Sequence, residues 1–304
     1  MCSRRPPEAT RPMRFMTSLH RRRRRSSLIG QNRPEMADLL VTSADGTRIA
    51  VGQSGSGPPL VLVHGTSGDR WSFRFVEPLL ADRFTVYAMD RRGRGASGDS
   101  TGRYAIEDEF ADVAAVVDSL AEPADLLGHS YGATVALGAA SAARNLRRLV
   151  LYEPSPGMAV VPPEVLARID DLLARDEREE LLRFFLGFVG FSAEELARLE
   201  ASPLWGPRVD AAHTIVRELH AEERHEVDPV SADVTAPTLL LRGGDSPAWA
   251  RDSTEAVQQT LPDSRVVVLE GQGHVAIMTA PELVMQEIVR FLLDVDGRPA
   301  LPRA

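Results

Sequence analysis

A chain of 304 residues is long enough to bury a sizeable core and need not divide into independently folding domains. Its apolar content of 43% is ordinary for a soluble globular protein, and no apolar run reaches the length that a membrane-spanning helix requires. The formal net charge is −8, and the acidic body beyond residue 35 argues against a nucleic-acid partner; the single cysteine, Cys2, leaves no intramolecular disulfide to demand an oxidising compartment.

In chain order, residues 1–35 come first. They carry ten Arg, five of them consecutive at Arg21–Arg25, against Glu8 and Glu35; that net +8 leaves −16 on the rest of the chain to reach the overall −8. A basic run can mark contact with nucleic acid or anionic lipid, but no apolar stretch follows to make it an export signal. The expectation is a disordered basic extension ahead of a start at Met36. All 35 basic residues of the chain are Arg, which reads as a coding bias rather than a functional signal.

Leu39–Val41 and Arg48–Gln53 read as strands joined at Ala44-Asp45-Gly46, a hairpin signal. Strands and helices then alternate. Leu60–Val63 is an apolar strand that runs into His64-Gly65-Thr66-Ser67-Gly68. A helix is predicted over Trp71–Ala81, a strand over Thr85–Met89, and a helix over Ile106–Ala121 with Phe110, Val113, Val117 and Leu120 on one face. Ala124–Leu127 is a short strand, and Tyr131–Ala143, rich in Ala and Gly, a helix able to pack close to a sheet. Leu149–Tyr152, Leu239–Leu241 and Val266–Leu269 are further strands. These continuous apolar runs are what parallel strands buried on both faces require. The last helix opens at Thr279-Ala280-Pro281-Glu282, a capping-box pattern with Pro just inside the start, and runs to about Leu293.

The alternation breaks between Ser155 and Val234. Helical patterns cover Val165–Leu173, Glu179–Phe188, a third helix capped at Ser192, and Val209–Glu223. An insertion of this kind after a strand reads as a helical cap over an active site. Phe184, Phe188 and Phe191 recur at helical spacing, as internal cap core or as the roof of an apolar pocket; the pocket is the reading adopted. Gly187 and Gly190 would weaken the helix there and permit movement.

The chemistry concentrates at strand ends. Gly128-His129-Ser130-Tyr131-Gly132 places a serine on a sharp strand-to-helix turn, where its hydroxyl is exposed. Such a serine needs a base to take its proton, and the base an orienting carboxylate. His274 follows the strand Val266–Leu269 on a Gly-rich loop. Asp245 follows Leu239–Leu241 through Gly243-Gly244 and is the preferred acid, with Asp252 and Glu153 as alternatives; Glu153 ends the strand Leu149–Tyr152. The oxyanion of acyl transfer needs pre-aimed donors. The amides of Tyr131, at a helix N-terminus, and Thr66, on the first strand-to-helix loop, are the candidates. His64 reads as a brace of that loop and His129 as a packing residue. Metal-ligand spacing is absent: His220 and His225 stand five apart, which does not share a helix face.

Together, Val63-His64-Gly65-Thr66, Asp90-Arg91-Arg92-Gly93-Arg94-Gly95-Ala96-Ser97, Gly128–Gly132, Leu241–Asp245 and Gly271-Gln272-Gly273-His274 resemble the α/β-hydrolase superfamily, over about residues 37 to 295. The resemblance implies an α/β-hydrolase fold: a mostly parallel central sheet with helices on both faces and an inserted helical cap, the core at 36–154 and 236–304 and the cap at 155–235. A serine at the turn separates the chain from the dehalogenases and epoxide hydrolases of the superfamily, which carry Asp there. The expected activity is a cytoplasmic, cofactor-free and metal-free serine hydrolase, with no nucleic-acid partner. Its substrate would be a small or medium carboxylic ester, thioester or lactone cleaved through an acyl-enzyme on Ser130. The same triad also serves C–C bond hydrolysis, perhydrolysis and acyl transfer or cyclisation, and the fold also serves non-catalytic ligand binding. The sequence carries no signal of oligomeric state.

Overall fold

The computed structural model describes residues 37–100, 102–155, 161–222 and 233–293. Its strands are β1 (Ala37–Thr42), β2 (Arg48–Gly55), β3 (Pro59–Val63), β4 (Thr85–Met89), β5 (Ala124–His129), β6 (Leu146–Tyr152), β7 (Thr238–Gly243) and β8 (Ser264–Leu269). They form one sheet in the order β1-β2-β4-β3-β5-β6-β7-β8. The first three, β1, β2 and β4, pair antiparallel; every later pairing is parallel. Alternate residues of each apolar run go to opposite faces, as the two-residue strand period dictates. Val61, Leu126 and Leu151 pack on one face, and Leu60, Leu127 and Val150 on the other. Burying each such side chain contributes about 1.5–3 kcal/mol, so the central strands are specified from both sides.

Helices α2 (Ile106–Asp118) and α3 (Tyr131–Ala140) cover the first face. Glu107, Asp108 and Glu109 fill the first turn of α2, where acids favour the positive end of the helix. A Cβ at Gly138 of α3 would stand 2.4 Å from the Phe110 ring of α2, so the absent side chain is what lets the helices meet. The second face takes the 3₁₀ turn Arg70–Phe73, α1 (Glu77–Ala81), α10 (Ala276–Thr279) and α11 (Pro281–Leu292). The single helix expected over Trp71–Ala81 is thus two pieces. Pro78 lies in the first turn of α1, and a proline there cannot continue a helix arriving from the previous turn.

Between β6 and β7 lie α4 (Pro163–Ala174), α5 (Arg178–Phe188), α6 (Ala193–Glu200), α7 (Trp205–Asp210) and α8 (His213–Glu222). They enclose a hydrophobic cluster of their own, built on Ile169, Leu172, Leu181, Leu182, Phe185 and Ile215. Ser192 and Glu195 form the reciprocal capping box that the sequence signalled for α6. The helix expected over Val209–Glu223 is divided, the Asp210 carbonyl accepting from the His213 ring at 3.1 Å. At α11 the predicted cap does not form: Thr279 ends α10 and Ala280, which has no capping hydroxyl, takes the N-cap position. One helix, α9 (Ala248–Thr260), carries no apolar stripe in the sequence because Ser253 and Thr254 occupy its inward face. Their hydroxyls donate to the Pro154 and Ala250 carbonyls, each at 2.6 Å.

The described residues from Ala37 on belong to one compact unit. The extension expected over residues 1–35 lies outside the described residues, as do parts of the expected cap at 156–160 and 223–232.

Candidate active site

Ser130 stands between the end of β5 and the start of α3 with φ 56° and ψ −130°. Side-chain-bearing residues avoid that region, and holding one there costs about 1–3 kcal/mol. Tertiary contacts enforce it. The Ser130 N–H donates to the Tyr152 carbonyl at 2.9 Å, and the Ser130 carbonyl accepts from Ala133 at 2.7 Å. The flanking glycines are required by backbone contact. A Cβ at Gly132 would lie 2.3 Å from the Val63 carbonyl oxygen, and one at Gly128 would lie 2.4 Å from that of Gly132. The loop after β3 runs directly beside the serine, since a Cβ at Gly65 would stand 2.9 Å from that of Ser130.

The acid beside the histidine is Glu153, not Asp245. Nδ1 of His274 lies 2.5 Å from Oε2 of Glu153, with the two side chains 6% and 0% exposed. Glu153 follows β6 at φ 44°, and its Oε1 accepts the Gly243 N–H at 2.6 Å. Both carboxylate oxygens are therefore engaged, one by β7 and one by the histidine. Asp245 is exposed; its amide bonds the Gln272 carbonyl at 2.9 Å and, among the described contacts, its carboxylate does not meet His274. The physical reason is that β7 continues through Gly243, whose amide Glu153 takes, so the chain has turned outward by Asp245. Asp252, the other alternative, pairs with Arg251 on the surface. The Glu153 contact puts the His274 proton on Nδ1 and leaves Nε2 as the basic nitrogen.

The histidine loop is gripped from below. His129 donates from Nε2 to the His274 carbonyl at 2.8 Å, with the two rings 4.8 Å apart. Burial, together with His274, pulls the His129 pKa down to about 3, so the ring stays neutral. It does more than pack, which was the expectation. Tyr152 donates its hydroxyl proton to the Gly273 carbonyl at 2.5 Å and accepts from Ala276 at 3.3 Å. Trp249 meets the His274 ring edge-on at 4.9 Å. On the other side, His64 donates from Nδ1 to the Gly65 carbonyl at 2.8 Å and accepts the Arg91 amide at 3.1 Å. Burial and the Arg91 charge hold its pKa well below the usual imidazole range; it braces the loop that carries Thr66.

Thr66 lines the cavity at Ser130, and Tyr131 is the first residue of α3, where amides lack intrahelical acceptors. No acceptor among the described residues takes either amide. The Tyr131 side chain leaves the site: it is buried, with its hydroxyl 2.7 Å from that of Tyr104.

The cavity, of about 50 Å³, brings Ser130, His274 and Thr66 together with Phe185, Leu186, Val189, Phe191 and Arg208 from the helical insertion. Of the three phenylalanines expected here, only Phe191 lines it. Phe184 packs against the insertion's own cluster, and Phe188 is half-buried and belongs to neither. The inward stripe of α5 is Leu181, Leu182, Phe185 and Leu186, which puts Phe184 and Phe188 on its flank. The Leu181–Phe185 and Leu182–Leu186 pairs, four residues apart, were the available signal for that stripe. Arg208 had none, since it lies just ahead of the helix expected over Val209–Glu223 and a lone Arg there reads as a solvated residue. Among the described residues no three His, Cys, Asp or Glu side chains gather as metal ligands, and no helix is long and apolar enough to cross a membrane.

Residues 60–287 match the model of the alpha/beta hydrolase family. Among solved structures, an alpha/beta hydrolase from Sphaerobacter thermophilus superposes with a TM-score of 0.72 at 36% identity, covering 84% of this chain and 100% of that one. The 2-(acetamidomethylene)succinate hydrolase of Mesorhizobium japonicum is 28% identical over 252 residues, 80% of this chain and 90% of its own length. The pimeloyl-[acyl-carrier protein] methyl ester esterase of Aeromonas hydrophila is 28% identical over 260 residues, 80% of this chain and 99% of its own.

Proposed function

The chain belongs to the alpha/beta hydrolase family, and from that premise we propose that it is a serine hydrolase using Ser130, His274 and Glu153 to cleave a small carboxylic ester, thioester or lactone. The observation that carries the reading is the buried His274–Glu153 pair at 2.5 Å, whose histidine lines one cavity with a serine held at φ 56°. Ser130 Oγ attacks the carbonyl carbon while Nε2 of His274 takes its proton. Glu153 stabilises the imidazolium and holds its orientation. The Thr66 and Tyr131 amides receive the oxyanion of the tetrahedral intermediate; one such donor is worth on the order of 10²–10³ in turnover. His274 then protonates the leaving group, and a water activated by the same nitrogen releases the acyl group. Helices α4–α8 act as a cap, supplying Phe185, Leu186, Val189 and Phe191 as an apolar wall.

The methyl ester esterase relative supports an ester as the substrate. A panel of esters of graded acyl length, run on purified protein beside Ser130→Ala, tests the reading. Hydrolysis of short esters that Ser130→Ala abolishes is expected; a variant that keeps more than about a tenth of wild-type turnover removes Ser130 from the role, since deleting a triad member costs on the order of 10⁴–10⁶.

A further inference from the structure

Five arginines of the described residues are buried: Arg70, Arg91, Arg92, Arg94 and Arg208. Four have a carboxylate in hand. Arg70 pairs with Asp90, Arg91 with Glu109 and Glu218, Arg92 with Asp112, and Arg94 with Glu218. Arg208, 6% exposed, has none within 4.0 Å among the described residues. Its Nη1 donates to Ser67 Oγ at 3.3 Å, its Nη2 to Ser72 Oγ at 3.1 Å, and its Nε is buried with no acceptor. Asp69 acts on it through its field and accepts the Trp71 amide at 3.0 Å. A buried charge without a partner is strongly unfavourable, and a ligand that supplies the missing charge relieves it.

The surroundings of this guanidinium point to the chemistry of such a ligand. Arg208, Ser67 and Ser72 all line the cavity that holds Ser130 and His274. Each hydroxyl accepts from Arg208 and so keeps its own proton to donate. A forked cation beside two hydroxyl donors matches a planar, two-oxygen anion. Resting on the hydrolase reading for the reaction, but on its own observation for recognition, we propose that the substrate carries a carboxylate besides the bond that is cleaved, and that Arg208 with Ser67 and Ser72 receives it. Burial pushes the Arg208 pKa down, and a bound carboxylate would restore it.

The test compares esters that differ only in that charge: monomethyl succinate against methyl succinamate, and O-acetylglycolate against O-acetylglycolamide, so that the carboxylate is offered on the acyl and on the alcohol side. Wild type should show a kcat/KM at least about tenfold higher for the charged member of one pair, and Arg208→Gln should bring that ratio to near one, with Arg208→Lys between. Succinate should raise the melting temperature of wild type where succinamide does not, and Arg208→Gln should lose that shift. Succinate should also compete with a neutral ester in wild type, which decides the matter if Arg208→Gln fails to fold. Flat ratios for both pairs, or a ratio that survives Arg208→Gln, overturn the proposal. If no ester is cleaved, the hydrolase reading fails by itself; succinate binding that depends on Arg208 then still upholds the anion site, and its absence removes that too.

Discussion

Glu153 and Asp245 both end apolar strands, and nothing local to either residue ranks one above the other. Asp245, after two glycines, had the look of an acid freed to project. What decides is a contact 90 residues apart in sequence, the Gly243 amide on Glu153 Oε1, which fixes the carboxylate against β7 and faces its other oxygen to His274. Glu153→Gln should therefore lower kcat by roughly 10³–10⁴ through the wrong imidazole tautomer, with KM little changed. Asp245→Asn should stay close to wild type; steady-state kinetics on one short ester checks both. His129 makes a separate prediction. Its folded pKa of about 3 lies below the ordinary 6.5, so the unfolded chain binds the extra proton between those values. Its contribution to stability is complete above pH 6.5 and is lost as pH falls toward 3. Urea unfolding at pH 6, 5 and 4 should show wild type losing about 1.4 kcal/mol per pH unit more than His129→Gln.

At the scale of the element, the central strands were legible because a run such as Leu60–Val63 is buried on both faces, and the edge strands β1 and β2 because a turn signal separates them. Helices were legible where an apolar stripe or a cap marked them and lost where polar groups replaced it, as in α9 with Ser253 and Thr254 facing inward. Within α5 the element was readable and its rotation was not. Four phenylalanines lie in or just after it, and the choice among them depends on what the partner helices present. Phe185 is 3% exposed and joins the insertion's cluster as well as the cavity wall. Phe185→Ala should cost about 3–5 kcal/mol of stability. Phe188→Ala should cost less than about 1 kcal/mol and leave acyl-length preference unchanged. Thermal unfolding with an ester-length profile measures both, and a shifted profile for Phe188→Ala would return that ring to the pocket.

Across the whole molecule, the insertion is tied to the sheet layer by charge as well as by apolar contact. Glu218 of α8 receives both Arg91 and Arg94 from the segment after β4, and Arg91 also holds Glu109 of α2. The Arg-Arg-Gly-Arg segment was visible in the sequence; its acid, 127 residues away from Arg91, was not, because no local pattern records a tertiary ion pair. Arg91 draws the Glu109 pKa down to about 2 despite its burial. Removing one member of such a buried set leaves the others uncompensated, so Glu218→Ala should cost about 3–5 kcal/mol. The loss should be nearly independent of salt, which screens buried pairs much less than exposed ones. Denaturant unfolding at low and high sodium chloride tests this.

The proposed mechanism requires Ser130 to be the one activated hydroxyl. Its most direct test is peptide mapping by mass spectrometry after reaction with a fluorophosphonate, in wild type and in His274→Ala. The prediction is a single adduct on Ser130 in wild type and almost none in the variant; an adduct on another residue, no adduct at all, or equal labelling without His274 would contradict it.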